Sequence, residues 1–303
     1  MKLLVFMCMV LLNFTIYATP KSFFDDFSQG IDTTRWTLVN KQWGGDNGGV
    51  SSKNVYVISK PYPTLILQAH GDKYDGEIIG INGKRTRIGA AIATKNYYAS
   101  GTFSVCAKLP KVFGAASAFW LFHYKELTNA DADYNSSEDP IRNSEIDWEM
   151  PSDDGSNKKI SYQFAKINAW GGQKPGVEDY FAHIIDIQTV NNNKNPADDE
   201  KFHKYEIIWQ PRKILSNGQT QSGFIDWRFA SKCDQPAKSV YLLKGSISGK
   251  DDIPQVPMQF WLGIWFPVRQ QAYLGQYTGW AGTPNFSQTQ LEIKWVSIKT
   301  VPE

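Results

Sequence analysis

What most constrains this chain is a period of two. Short stretches in which apolar and polar residues alternate recur along its length, each closed off by Gly, Pro, Asn or Asp. They cover residues 54–59, 64–69, 101–109, 117–124, 144–150, 159–170, 203–210, 223–230, 239–243, 259–266 and 290–299. Such alternation suits strands that bury one face. Helical periodicity is scarce, with one short turn of helix expected near Pro196–Lys201. Many short strands without intervening helices predict an all-β fold, an antiparallel β-sandwich or barrel. Two long polar segments, 128–143 and 191–200, read as loops inserted in one domain, because strand patterns resume directly after each.

Residues 1–18 carry one early cation, Lys2, and an apolar run too short to span a bilayer, followed by small residues at Ala18 and Thr19. They predict a cleaved secretory signal, leaving residues 19–303 as a secreted or periplasmic domain, free of the membrane and monomeric. Two cysteines then remain, Cys106 and Cys233, which fit a disulfide or two buried thiols equally well. A net charge of +2, with no basic run interleaved with aromatics, argues against a nucleic-acid partner. The four histidines show no metal-ligand spacing, and no zinc or phosphate-loop motif is present. The 11 tryptophans suit either a large β core or a cleft that stacks on flat ligands such as sugar rings.

The segment NSEIDWEM concentrates the chemistry. In a strand, Glu145, Asp147 and Glu149 share one face while Ile146, Trp148 and Met150 share the other. In a helix they would scatter, and Pro140 and Pro151 bracket the segment too closely for one. The spacing alone is weak evidence in a chain with 30 acids. Yet like charges on one strand face repel, and acids are poor strand formers, so the arrangement costs stability. Hydrolysis of a glycosidic bond supplies a purpose: one carboxylate acts as nucleophile or base, and one carboxylic acid protonates the leaving oxygen. The Cα atoms of Glu145 and Glu149 lie roughly 13 Å apart along a strand, and two long side chains leaning inward shorten that gap. Between them, the shorter Asp147 can bond to one glutamate, and its charge would raise a neighbour's pKa.

EIDWE resembles the E-[apolar]-D-[apolar]-E signature of glycoside hydrolase family 16, and the resemblance spans the mature chain. Residues 24–36, 45–50, 97–110, 114–124, 202–211 and 273–279, together with the terminal KWVSIK, are similar to that family's segments in order. The resemblance implies a β-jelly roll of the concanavalin A-like lectin/glucanase type. It also implies a retaining double displacement, with Glu145 as nucleophile, Glu149 as general acid/base and Asp147 as orienting, charge-tuning partner. It suggests an endo-glycosidase acting on internal β-linkages of a polysaccharide, foremost β-1,3 or mixed β-1,3/1,4-glucan. A cell-wall transglycosylase and a non-catalytic, lectin-like glycan binder are the alternatives.

Substrate contacts are expected from Asn47, Trp120, Gln163, Trp170, Trp261 and Trp265, with Gly263 leaving room for a sugar ring between the last two. Trp148, Trp209 and Trp295 are assigned to the core. Ala91 and Ala93 stand where licheninases carry Glu and Arg. The family's calcium site often uses an acid where this chain has Lys294, so no cofactor is expected.

Overall fold

The computed structural model describes residues 20–301, apart from 44, 46, 132–133, 135–140, 155–159, 172–179, 246–252, 268–269, 272–276 and 279. The expected signal segment and most of residues 273–279 lie outside the described residues. Two main sheets, of eight and seven strands, form the domain. In chain order their strands begin with β1 (Phe23–Asp25), β2 (Trp36–Leu38), β3 (Val55–Ile58), β4 (Thr64–His70) and β5 (Ala90–Thr94). There follow β6 (Gly101–Lys108), β7 (Ala116–Glu126), β8 (Ile141–Met150), β9 (Phe164–Gly171) and β10 (Tyr180–Asp186). The last are β11 (His203–Gln210), β12 (Phe224–Ala230), β13 (Lys238–Lys244), β14 (Gln259–Trp265) and β15 (Gln288–Lys299). One sheet runs β13-β12-β11-β6-β15-β4-β3, with β1 also on β15. The other runs β10-β9-β8-β7-β14-β5-β2. Every pairing between these strands is antiparallel, as in a jelly roll.

The period of two becomes burial. Along β11, His203, Tyr205, Ile207 and Trp209 are buried and alternate with half-buried neighbours. Along β8 the inward residues are Ile146, Trp148 and Met150, all fully buried in a core shared by both sheets. Each contributes about 2 kcal/mol by leaving water, which fixes the strand against the repulsion of the acids on its other face. Trp148 is core, as parity requires; its indole donates to Met150 Sδ at 3.3 Å and meets Tyr205 edge-on.

Where alternation fails, another layer covers the sheet. β5 is buried at every position, because Val39 and Val50 pack with Ala91, Ala93, Ala118 and Trp120 on the sheet's outer face. The stretch expected as one strand over 159–170 is broken by a turn at Tyr162–Gln163, where Ser161 Oγ accepts from the Gln163 N–H at 3.0 Å. No helix forms at Pro196–Lys201. Asn195 and Asp199 instead accept from backbone N–H groups two residues on, and these local turns replace a helical one. β8 starts at Ile141, so the inserted loop is shorter than the polar segment suggested. The cysteines are joined: Cys106 of β6 is bonded to Cys233, in the turn after β12.

Candidate active site

The three acids lie side by side on the outer face of the second sheet, and neighbouring strands complete the site. Across one edge of β8, Trp170, Asn168 and Lys166 of β9 stand opposite Glu145, Asp147 and Glu149. Across the other, Phe122, Trp120 and Ala118 of β7 stand opposite the same three acids. Asp147 and Glu149 are 5% and 8% exposed, so both carboxyls are taken out of water by the strands around them. Beneath them, Trp227 of β12 reaches across the core and donates its indole N–H to the Asp147 carbonyl at 2.8 Å.

Burial raises all three carboxyls, and their neighbours act on each differently. Burial raises the Glu145 carboxyl to about 7, but two donors act in the opposite sense. One is Asn143, whose Nδ2 lies 2.8 Å from Glu145 Oε2, and the other is the Asp147 carboxyl. Burial raises Asp147 well above the ordinary carboxylate range, and the flanking charges of Glu145 and Glu149 add to the shift. Asp147 is therefore the group that stays neutral and donates to Glu145. A neutral Asp147 tunes Glu145 through the hydrogen bond it donates, because the most enclosed position, between two carboxylates, is where a charge costs most. Burial also raises Glu149 to about 7, opposed by the Lys166 ammonium and assisted by the charge of Glu145. Asn168 Nδ2 holds Glu149 Oε2 at 3.0 Å. Lys166 and Asn168 thus favour a charged Glu149, while burial and the Glu145 charge favour a protonated one.

The expected sugar-contacting residues divide. Trp170 is on the acid face and half-buried, beside Glu145. Trp261 and Trp265 share that face of β14, as expected. Gln163 does not reach the acids. It lies in the turn before β9, and its Nε2 donates to Asp186 Oδ2 at 2.9 Å; Asn168 supplies the amide instead. Trp120 is 3% exposed and is one of a cluster of indoles, not an open platform. The space above Gly263 holds no room for a sugar, since a Cβ there would meet the Trp120 ring at 3.0 Å. Asn47 is buried, and its Nδ2 donates to the carbonyls of Phe266 and Pro267 at 3.1 and 2.9 Å, pinning its loop to the chain beyond β14.

Sequence reasoning missed Asn143, Asn168, Lys166 and Trp43. Asn143 was within reach of it, being two residues before Glu145 and on the same face. Asn168 and Lys166 become visible only with the β8–β9 register. Trp43 sits in a loop that no periodicity describes.

On the other sheet, Trp209 is buried as expected, but Trp295 is half-buried. A bulge between Ile293 and Trp295 shifts the register there, and Trp295 packs against the exposed Phe24. Lys294 occupies the same bulge, its ammonium 4.0 Å from the Tyr62 ring centre and 4.3 Å from that of Phe202.

None of the curated proteins compared matches the chain. Among solved structures, a prokaryotic β-1,3-1,4-glucanase (lichenase) from a mouse hindgut metagenome is 19% identical, with a TM-score of 0.58 over 93% of this chain and 100% of that one. A mixed-linkage-glucan family 16 enzyme of Bacteroides ovatus, bound to product, is 17% identical, with a TM-score of 0.59 over 91% and 99%. The catalytic domain of an endo-1,3-β-glucanase (laminarinase) from Thermotoga petrophila is also 17% identical, with a TM-score of 0.56 over 91% and 95%. At these identities the likeness speaks to the fold. The family profile of the glycosyl hydrolases family 16 matches residues 50–216, more than half of the chain and inclusive of all three acids, and the chain belongs to that family.

Proposed function

We propose that this protein is a secreted retaining endo-glycosidase that hydrolyses internal β-linkages of a polysaccharide, with β-1,3-glucan or mixed β-1,3/1,4-glucan as substrate. The observation that carries the reading is the row of three neighbouring carboxyls on one strand face, all raised above the ordinary range by burial, so that one can stay protonated while another is ionised. Glu145 receives hydrogen bonds from Asn143 and Asp147, which favour its charged form. Glu149 is raised by burial and by that charge, against the Lys166 ammonium and the Asn168 amide, and family membership assigns the proton to it.

In the first step the Glu145 carboxylate attacks the anomeric carbon while Glu149 gives its proton to the departing oxygen. Asp147 donates a hydrogen bond to the Glu145 carboxylate, and that bond weakens as Glu145 loses its charge to the ester. Glu149, now ionised, takes a proton from water in the second step, and that water breaks the ester to Glu145 with a second inversion. The substrate class is supported by family membership and by fold relatives described as acting on mixed-linkage and β-1,3-glucans. Export is supported by the Cys106–Cys233 bond, since disulfides persist in oxidising compartments.

A reducing-sugar screen over laminarin, lichenan, xyloglucan, agarose and carrageenan, with product linkage determined, tests the assignment. Laminarin or lichenan is expected to be cut, and Glu145→Gln to lower turnover by about 10⁴-fold or more with the fold intact. Glycan binding without new reducing ends would point to a lectin-like role, and substantial activity in Glu145→Gln would overturn the assignment of Glu145 as nucleophile.

A further inference from the structure

We propose that Trp43 is a specificity-determining stop that restricts the endo mode of the reading above: it closes the glycan trough on the β14–β5 side of the acids, so that the internal linkage cut lies a fixed, small number of sugars from one chain end. The inference rests on the hydrolase reading above.

A linear glucan crossing the acids must run over the strands, roughly one sugar ring per interstrand spacing of about 4.8 Å. On the β7 side, the row level with Glu149 is Ala118, Gly263 and Ala91, so three successive strands carry nothing larger than a methyl group. Such a floor would make a trough several sugars long. The protein fills it with its own rings. Trp120 lies over Gly263. Trp43 descends from the loop after β2, with its ring centre 5.5 Å from that of Trp120 and 6.2 Å from that of Trp261. Its ring stacks on Trp265 at 5.4 Å with only 14° between the planes. Two parallel rings holding a sugar between them need roughly 7–8 Å, two van der Waals contacts in series, so no sugar enters that stack. The exclusion reaches the floor: Ala91 and Ala93 are 0% and 2% exposed.

The stop is held in place. Asn47 ties its loop to the Phe266 and Pro267 carbonyls, and Gln42 Nε2 donates to the carbonyls of Gly45 and Asn47. The loop closes through paired Lys41 and Val50 by way of Gly49, whose φ is +76° and where a Cβ would stand 2.4 Å from the Lys41 carbonyl oxygen, so no side chain is admitted. The two sides of the acids therefore differ: Trp120 on β7 is sealed under the indole cluster, whereas Trp170 on β9 is half-buried beside Glu145.

A stop on one side fixes product length on that side, whichever end of the chain lies there. The test is the early product distribution from a linear β-1,3-gluco-oligosaccharide of one defined length, labelled at its reducing end so that mass spectrometry reads the fragments from both ends, compared for the wild type, Trp43→Ala and Trp43→Phe. The wild type should release one or two short lengths from the first time points, and Trp43→Phe, which keeps a ring in the stack, should do the same. Trp43→Ala should give a broad ladder, with longer products enriched by roughly tenfold, as expected for loss of one steric contact at a specificity site. A broad ladder from the wild type overturns the proposal, even if Trp43→Ala fails to fold. An unchanged narrow distribution from a folded Trp43→Ala overturns it as well. Absence of cleavage of any glucan by the wild type would instead refute the hydrolase reading, and the stop with it.

Discussion

At the scale of single residues, the site is a problem in placing one negative charge among three carboxyls. Parity alone showed which face the acids share, because Ile146, Trp148 and Met150 had to point the other way. What parity did not show was which carboxyl would be neutral, since that depends on Asn143, Asn168 and Lys166, and the last two arrive from another strand. With Glu145 and Glu149 both raised to about 7, kcat/KM should peak near neutrality, not at acid pH. Its acid limb reports loss of the Glu145 charge and its alkaline limb loss of the Glu149 proton. Lys166→Gln removes the ammonium that opposes the Glu149 shift, so the alkaline limb should move up by roughly one pH unit; a pH–rate profile of the variant measures it. Stability should follow the same groups. An acid whose pKa rises on folding stabilises the folded state fully below its ordinary value of 4.5, and that contribution is lost as pH climbs toward about 7. The melting temperature should therefore fall across that interval, and Glu149→Gln should flatten the slope.

At the scale of elements, strands with one solvated face were legible and strands covered on both faces were not. β11 alternates cleanly, whereas β5 is buried throughout under the loop that carries Trp43, and a run of five small and apolar residues carries no period. β10 escaped detection for a different reason: its described side chains run half-buried, exposed, exposed, half-buried, buried, half-buried, with no alternation to read. The layer beneath the acids also contributes through its side chains. Trp227 of β12 holds the Asp147 carbonyl from the core, so Trp227→Phe should destabilise the fold by about 2 kcal/mol, from a lost hydrogen bond and a small cavity. If the indole also fixes the position of Asp147, kcat should fall by roughly tenfold while KM stays close to its original value. Steady-state kinetics and thermal melts on one preparation separate the two effects.

At the scale of the whole molecule, two sheets share one core, and the chemistry sits on the outer face of one of them. The sandwich was readable from the count and spacing of short strands. The disulfide was not, because two cysteines 127 residues apart in sequence carry no framework pattern. That bond closes a long loop, and replacing both cysteines with serine should cost about 2–4 kcal/mol, seen as a lower denaturant midpoint with catalysis retained below it. The proposed double displacement requires Glu145 to become covalently bonded to sugar during turnover. A glucosyl oligosaccharide bearing fluorine at C2 and an activated leaving group slows the second step more than the first, and peptide mass spectrometry then locates the trapped sugar. The adduct is predicted on Glu145 and should be absent in Glu145→Gln. An adduct on Glu149, or release of the leaving group with no adduct at all, would contradict the account.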